Sequence, residues 1–184
     1  MNKSNIDDFI DALKLLDSKI GELKMESIKI KAIGGFAMLY HGFRKGGYTI
    51  DIDSLTERYN DSVTNLIKEV GKEKNIDEDW LNTDCALLDG FMDLNKKIKW
   101  IEAEYQFNNI KLLIADINGL IRSKAKAIHD GGFVPRTTDK KDLLEGLRYV
   151  GLMNISELDA SKEYGFIEEE YGRCYRYLRE ISKW

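Results

Sequence analysis

The stretch AIGGFAMLYHGFRKGGYTIDID, residues 32–53, decides how the rest of the chain is interpreted. The segment SIKIKAI runs into it and alternates apolar residues with lysines, which predicts a strand with one buried face. That strand ends at Gly34 and Gly35, after which a brief apolar helix is expected. The stretch closes on YTIDID, whose period of two predicts a second strand. Two strands and a helix therefore frame a glycine pair and an acidic pair.

The acidic pair, Asp51 and Asp53, is the first chemical clue. Side chains two apart on a strand lie on one face, so the two carboxylates converge. Mg²⁺ and Mn²⁺ take oxygen ligands and leave positions for phosphate oxygens. An isolated pair of this kind is more often an acidic strand end that faces water. Here the Gly34–Gly35 turn precedes it, and backbone N–H groups at such a turn bind phosphate, so the order predicts a triphosphate site.

The second clue lies after residue 116, where apolar residues recur at helical spacing. Lys124 falls at the centre of the apolar face of this predicted helix. Its side chain either passes along that face to solvent or reaches an interior anionic site. In the next predicted helix Asp139 and Asp142 are three apart on one side. Asp139 is interpreted as an N-cap or as a functional carboxylate, and Asp142 as functional because the cap is already filled.

Elsewhere the periodicity predicts helices over about 5–24 and 56–70 and a short polar helix at DEDWL, residues 77–81. Two strands joined at Asn108–Asn109 are expected to follow, and the remainder, 117–184, is expected to be helical. The fold class is therefore α+β. A small mixed sheet flanked by helices occupies residues 1–116, and the helical region packs on it as one cooperative unit.

Composition excludes several classes of protein. Hydrophobic residues make up 43% of the 184 residues, enough to bury the core of a compact domain. No apolar run approaches the roughly 20 residues of a membrane helix, and the N-terminal segment is acidic, so a cytoplasmic protein without membrane association is expected. The net charge of -4 argues against binding nucleic acid by bulk charge.

Cys85 and Cys174 have no CxxC pattern and are expected to be reduced thiols.

The two histidines and the absence of several known catalytic motifs argue against further classes of enzyme. His41 and His129 have no metal-ligand spacing with each other or with the cysteines, which argues against a zinc site. His41 follows an apolar turn and is interpreted as a packed, hydrogen-bonded histidine. The chain has no GxSxG, GxxxxGK[ST] or GxGxxG segment that follows a strand. A hydrolase, a P-loop protein and a Rossmann-fold protein are therefore not favoured.

These features together resemble the nucleotidyltransferase superfamily, with its polymerase-beta-like fold, in the branch of AbiEii-like toxins and related bacterial proteins. The first matching block runs over about 28–56 and contains Gly34, Gly35, Ala37, His41, Gly42, Arg44, Thr49, Asp51 and Asp53. The second block, over about 110–150, contains GLIRSKAKA with Lys124 and RTTDKKDL with Arg136, Asp139 and Asp142.

The resemblance implies an enzyme that moves a nucleoside monophosphate from an NTP to a hydroxyl acceptor, with Mg²⁺ or Mn²⁺ as cofactor. It implies metal ligation by Asp51 and Asp53, and catalytic roles for both together with Lys124 and Asp142. It assigns nucleotide binding to Gly34, Gly35, Arg44, Thr49, Lys124 and Arg136. The implied acceptor is an RNA end, such as that of tRNA, or a protein, and the implied partner is a cognate antitoxin in a toxin–antitoxin system.

Two points stay open at this stage. A third carboxylate comes from a later strand in polymerase-like relatives, here Glu102 or Glu104, and from a helix in toxin-like relatives, here Asp142. Many members have Ser or Thr directly after the glycine pair, where this chain has Phe36. Phe36 motivates the alternative of a catalytically weak nucleotide- or partner-binding module, similar to an antitoxin. A third alternative is an antibiotic nucleotidyltransferase.

Overall fold

The computed structural model describes residues 4–44, 47–131 and 136–181. The chain divides into two compact units, Met1–Asp116 and Ile117–Trp184. The first contains a mixed five-stranded sheet with helices, and the described part of the second contains helices. The fold is therefore of the mixed α/β class that the sequence predicts.

The elements follow one another along the chain. In the first unit they are α1 (Ile6–Glu22), β1 (Ile28–Ile33), α2 (Gly34–Tyr40), β2 (Ile52–Ser54), α3 (Asp61–Lys74), β3 (Leu81–Asn82), a short 3-10 helix (Asp84–Leu87), α4 (Phe91–Lys97), β4 (Trp100–Glu102) and β5 (Ile110–Ala115). In the second they are α5 (Ile117–Asp130), α6 (Thr137–Tyr149), α7 (Ile155–Ala160), α8 (Phe166–Glu170) and α9 (Gly172–Ile181). No helix among the described residues has the length and apolar character that crossing a membrane requires.

The sheet has the strand order β3-β2-β1-β5-β4. β1 is antiparallel to β2 and parallel to β5, β2 is parallel to β3, and β4 is antiparallel to β5. Ile33, the last residue of β1, lies opposite Asp53 of β2. Because α2 starts at the next residue, this pairing places the glycine pair beside the acidic pair.

An aromatic core fixes α2 in the first unit. Phe9 of α1, Phe36 of α2 and Trp80 have no exposed surface. The Phe36 ring meets Phe9 edge-on at 5.9 Å, and the Phe9 ring stacks on Trp80 at 6.3 Å. Aromatic pairs in these geometries stabilise a core beyond the apolar area that they bury. The start of α2 is therefore held through Phe36.

Helix α1 has a second attachment through Asp17. Its Oδ1 accepts from the backbone N–H of Asn109 at 2.6 Å, and its Oδ2 accepts from that of Asn108 at 3.1 Å. Asn109 Nδ2 in turn donates to the backbone oxygen of Asp17 at 3.0 Å. The Asn108–Asn109 turn predicted from sequence thus ends a longer connection between the antiparallel strands β4 and β5, and a helix side chain holds it closed.

Several predicted boundaries are wrong, for local reasons. Helix α3 begins at Asp61 because the Asn60 side chain accepts from the backbone N–H of Val63 at 2.9 Å and caps it there. DEDWL forms a turn instead of a helix, and its last residue begins β3. The strand predicted in YTIDID covers Ile52–Ser54 alone.

The second unit has its own apolar core. The buried side chains of α5 and α6 that contribute to it are Ile121, Ala125, Ile128, Leu143 and Leu147. A Cβ atom at Gly146 would lie 3.0 Å from Ile121 Cγ1, so the absent side chain lets the two helices approach closely. The C-terminal segment forms α8 and α9, and Tyr171, Cys174 and Leu178 are buried in this core. Both cysteines are free thiols, as predicted.

Candidate functional site

Gly34 packs directly against the carboxylate of Asp53. Its φ is +66°, a left-handed conformation that favours glycine, and a Cβ atom there would lie 2.5 Å from Asp53 Oδ2. Any other residue would have to displace the carboxylate. The structure therefore brings together the first glycine of the predicted phosphate turn and one of the two predicted metal ligands.

Gly35 packs against two further residues of this block, Arg44 and Thr49. A Cβ atom at Gly35 would lie 2.7 Å from Arg44 Nη1 and would overlap Thr49 Oγ1. Arg44 Nη1 donates to the backbone oxygen of Tyr48 at 3.3 Å. Thr49 is buried, and its backbone pairs with Ser4 near the N-terminus. Arg44, Thr49 and the glycine pair thus form one group of neighbouring residues.

Asp51 is joined to this group through a residue that the sequence interpretation missed. Asn82 Nδ2 donates to Asp51 Oδ2 at 3.3 Å, and β3 places Asn82 opposite Asp53. A two-residue strand is too short to show a period of two, and its first residue was assigned to a helix. The usable signal was a polar amide directly after two buried apolar residues, Trp80 and Leu81.

The pKa of the Cys85 thiol depends on the negative charge of the acidic pair. Burial raises the pKa of this thiol, and nearby carboxylates, foremost Asp53, raise it further. Asp51 also contributes to that increase. A neutral thiol is thus favoured beside a region of negative potential, which is the environment that attracts a cation.

The donor set fits a hard divalent cation. Asp51 and Asp53 supply carboxylate oxygens, which Mg²⁺ and Mn²⁺ take as ligands. Asp53 Oδ2 occupies the space that a side chain at Gly34 would fill, so this carboxylate lies directly against the glycine backbone. Within 4–44, 47–131 and 136–181, no three His, Cys, Asp or Glu side chains are grouped as a metal site.

The candidates for a third carboxylate lie in different places. Glu102 is on β4, exposed and 3.7 Å from Lys111, and two strands separate β4 from β2, about 14 Å at the usual strand spacing. Glu104 is exposed and its backbone N–H donates to the Tyr40 hydroxyl at 3.2 Å. Sequence interpretation passed over Asp116, which follows β5 at the sheet end where Gly34 follows β1. The signal was a carboxylate directly after the apolar strand KLLIA.

In the second unit, four predicted residues form one ion cluster, in which Lys124, Asp139 and Asp142 are buried and Arg136 is exposed. Lys124 Nζ lies 2.8 Å from Asp139 Oδ1 and 2.8 Å from Asp142 Oδ2. Arg136 Nε donates to Asp139 Oδ2 at 2.8 Å. The inward direction predicted for Lys124 is confirmed, since the residue is 6% exposed and does not reach along the helix to solvent. Two cations and two carboxylates balance in charge.

The N-cap interpretation of Asp139 is wrong. Helix α6 begins at Thr137, its N-cap is Arg136, and no side chain caps it. Asp139 therefore lies inside the first turn, where its carboxylate bonds to Lys124 and Arg136 instead of to backbone N–H groups. The cluster ties α5 to α6 by charge-assisted hydrogen bonds.

The ion cluster predicts a pH dependence of stability. Burial disfavours the charged form of Asp139, but Lys124 and Arg136 outweigh it and hold the pKa of Asp139 below its usual value of 3.8. The resulting stabilisation is complete above pH 3.8 and is lost as the pH falls through the lower folded-state pKa. We expect the free energy of unfolding, measured in urea between pH 7 and pH 2.5, to fall more steeply for the wild type than for Asp139→Asn. Asp11→Asn, an exposed carboxylate of α1, is the control, and parallel curves for Asp139→Asn and the wild type would contradict the assignment.

His41 joins the ends of two elements in the first unit. Its Nε2 lies 2.9 Å from the backbone oxygen of Ala115, at the end of β5. Because a carbonyl oxygen only accepts, Nε2 carries the proton. The ring also packs against Tyr40 and Phe43, so the expectation of a packed, hydrogen-bonded histidine is confirmed.

Comparisons of this chain with protein-family models, with curated proteins and with solved structures find no match.

Proposed function

We propose that this protein is a Mg²⁺-dependent nucleotidyltransferase, which moves a nucleoside monophosphate from an NTP to a hydroxyl acceptor, and that its first unit is a nucleotidyltransferase core. One observation carries the proposal. The glycine pair has no room for side chains because Asp53 lies against Gly34, and Arg44 and Thr49 lie against Gly35. Backbone N–H groups, a guanidinium and a hydroxyl can bind phosphate oxygens, and a carboxylate beside them can hold a divalent cation, which supports a site for a triphosphate with its metal ion.

Each residue of this group has a role in the proposed transfer. The glycine backbone N–H groups and the Thr49 hydroxyl would donate to phosphate oxygens, and the Arg44 guanidinium would offset their charge. Asp51 and Asp53 would hold Mg²⁺, which polarises phosphoryl oxygens when bound. The acceptor hydroxyl oxygen bonds to the α-phosphorus and loses its proton, while the bond to the β-phosphate oxygen breaks and pyrophosphate leaves. Positioning and charge stabilisation supply most of the rate enhancement in such transfers.

The proposal extends to the second block of the resemblance. Lys124 and Asp142 are assigned to catalysis, and Lys124 and Arg136 to nucleotide binding. Lys124 contacts both Asp139 and Asp142, and Arg136 contacts Asp139, which supports treating these residues as one functional group. Arg136 is the residue to vary first, because its side chain is 79% exposed and its loss leaves the buried lysine with both carboxylates.

The decisive experiment measures label transfer. The protein is incubated with Mg²⁺ and each α-labelled NTP, with total RNA or cell lysate as acceptor. We expect transfer from at least one NTP, and a loss of at least about 100-fold with Asp51→Asn or Asp53→Asn. Asp61→Asn, on the exposed start of α3, is the matched control. Absence of transfer from all four NTPs, or transfer that survives Asp51→Asn, would overturn the proposal.

The same assay separates the alternatives. A non-catalytic binding module would bind NTP in a Mg²⁺-dependent manner without forming product. An antibiotic nucleotidyltransferase would label an aminoglycoside or a lincosamide and leave RNA and protein unlabelled. An RNA end or a protein is the favoured acceptor, on the resemblance to toxins of toxin–antitoxin pairs, and a cognate antitoxin is the proposed partner.

A further inference from the structure

We propose that Asn82 is a positioning residue that sets the orientation of the Asp51 carboxylate for cation binding. The inference rests on the proposed metal site at Asp51 and Asp53. The proposed role of Asn82 involves no contact with nucleotide or acceptor, because Asn82 acts through Asp51.

Every polar group of the Asn82 side chain is used. Oδ1 accepts from the backbone N–H of Asp84 at 3.0 Å. Nδ2 donates to Asp51 Oδ2 at 3.3 Å and to the backbone oxygen of Asp79 at 3.5 Å. A backbone N–H only donates and a carbonyl oxygen only accepts, so these two partners fix which end of the amide is nitrogen. The nitrogen therefore faces Asp51 as a donor.

The backbone around Asn82 is also fixed. β3 pairs in parallel with β2 and sets Asn82 opposite Asp53. The contact with Asp84 N–H closes a turn of the Asx type directly after β3. The amide is thus held from both sides before any ligand arrives.

Orientation matters because the carboxylate of an aspartate is loosely defined by its own rotamer. The χ2 torsion of Asp is broad and roughly two-fold, so the plane of the carboxylate depends on its partners. A neutral amide donor restricts that plane without cancelling the negative charge that the cation needs. Partners of this kind are worth about 10- to 100-fold in metal affinity.

The test measures the binding of Mn²⁺ to the full chain without nucleotide. Titration calorimetry and electron paramagnetic resonance of free Mn²⁺ both report the affinity. We expect Asn82→Ala to bind Mn²⁺ about 10-fold more weakly than the wild type. Asn82→Asp keeps the acceptor for Asp84 N–H but sets a carboxylate against Asp51, so it should bind Mn²⁺ at least as tightly as the wild type and gain more thermal stability from it. Asn60→Ala is the control, since it removes a comparable side-chain acceptor at the cap of α3 and should leave Mn²⁺ affinity unchanged.

Three outcomes decide between the two proposals. The role of Asn82 alone would be overturned if Asn82→Ala bound Mn²⁺ with the affinity of the wild type. It would also be overturned if Asn82→Ala and Asn60→Ala lost Mn²⁺ affinity to the same extent for the same loss of thermal stability. Mn²⁺ binding that depends on Asn82 in a protein without label transfer would overturn the proposed enzyme activity alone. No Mn²⁺ binding by the wild type would overturn both. In an active enzyme, Asn82→Ala should raise the Mg²⁺ concentration for half-maximal transfer about 10-fold, and saturating Mg²⁺ should restore most of the rate.

Discussion

Lys124→Met is expected to lower the free energy of unfolding by about 3–5 kcal/mol, because it leaves buried carboxylates without their shared cation. Asp139 and Asp142 both lie 2.8 Å from Lys124 Nζ, and each has at most a twentieth of its side chain exposed. Arg136 remains beside Asp139, so that carboxylate keeps one cation after the substitution. Urea unfolding, monitored by circular dichroism, measures the decrease in the free energy of unfolding.

Two further variants make this result specific. Lys14→Met removes an exposed lysine that pairs with Asp11 at 3.2 Å, and surface pairs of this kind contribute at most about 1 kcal/mol. Combining Lys124→Met with Asp139→Asn and Asp142→Asn removes the buried negative charge and should recover part of the lost stability. If Lys124→Met cost no more than Lys14→Met, the cluster would have to be solvated.

Phe36→Ser is expected to destabilise the protein by about 3–5 kcal/mol and to bring no gain in label transfer. The substitution introduces the hydroxyl that many nucleotidyltransferases carry after the glycine pair. In this chain the Phe36 ring is fully buried against Phe9, so its removal leaves a cavity in the aromatic core. The hydroxyl would also be buried at that position, which adds a desolvation cost.

Thermal unfolding and the label-transfer assay check this prediction together. Phe107→Ser, at a half-buried position of the β4–β5 connection, is the comparison for loss of an aromatic ring, and we expect it to cost less. A stable Phe36→Ser variant with faster transfer would show that the hydroxyl serves the site and that the aromatic residue limits turnover.

The parts of the site that depend on local pattern were predictable. Alternation identified β1, and helical spacing predicted the inward direction of Lys124. The shared strand face predicted for Asp51 and Asp53 is not described, because β2 begins at Ile52 and leaves Asp51 outside it. These signals are visible because each spans several residues and repeats. The position of the glycine pair followed from them, since it lies between the two elements.

The rest depends on contacts between segments far apart in sequence, which no local pattern encodes. Asn82 meets Asp51 only because β3 pairs with β2, and β3 is too short to show alternation. The inward direction of Lys124 was visible, but its partners depend on how α5 packs on α6. In the sequence Phe36 stands out as a departure from the pattern of the site, and its packing against Phe9 explains it as a core residue.

The attachment of α1 to the Asn108–Asn109 turn bears on how the first unit folds. Asp17 bonds to residues 91 and 92 positions later in the chain, so the contact forms only after a long loop has closed. Loop-closure entropy opposes such contacts, and they form slowly compared with a helix. α1, which has its own capping box at Asn5, can form early, but its attachment through Asp17 requires the distant Asn108–Asn109 turn to be in place. The hydrogen bonds between α1 and the turn are therefore expected to form later in folding than α1 itself.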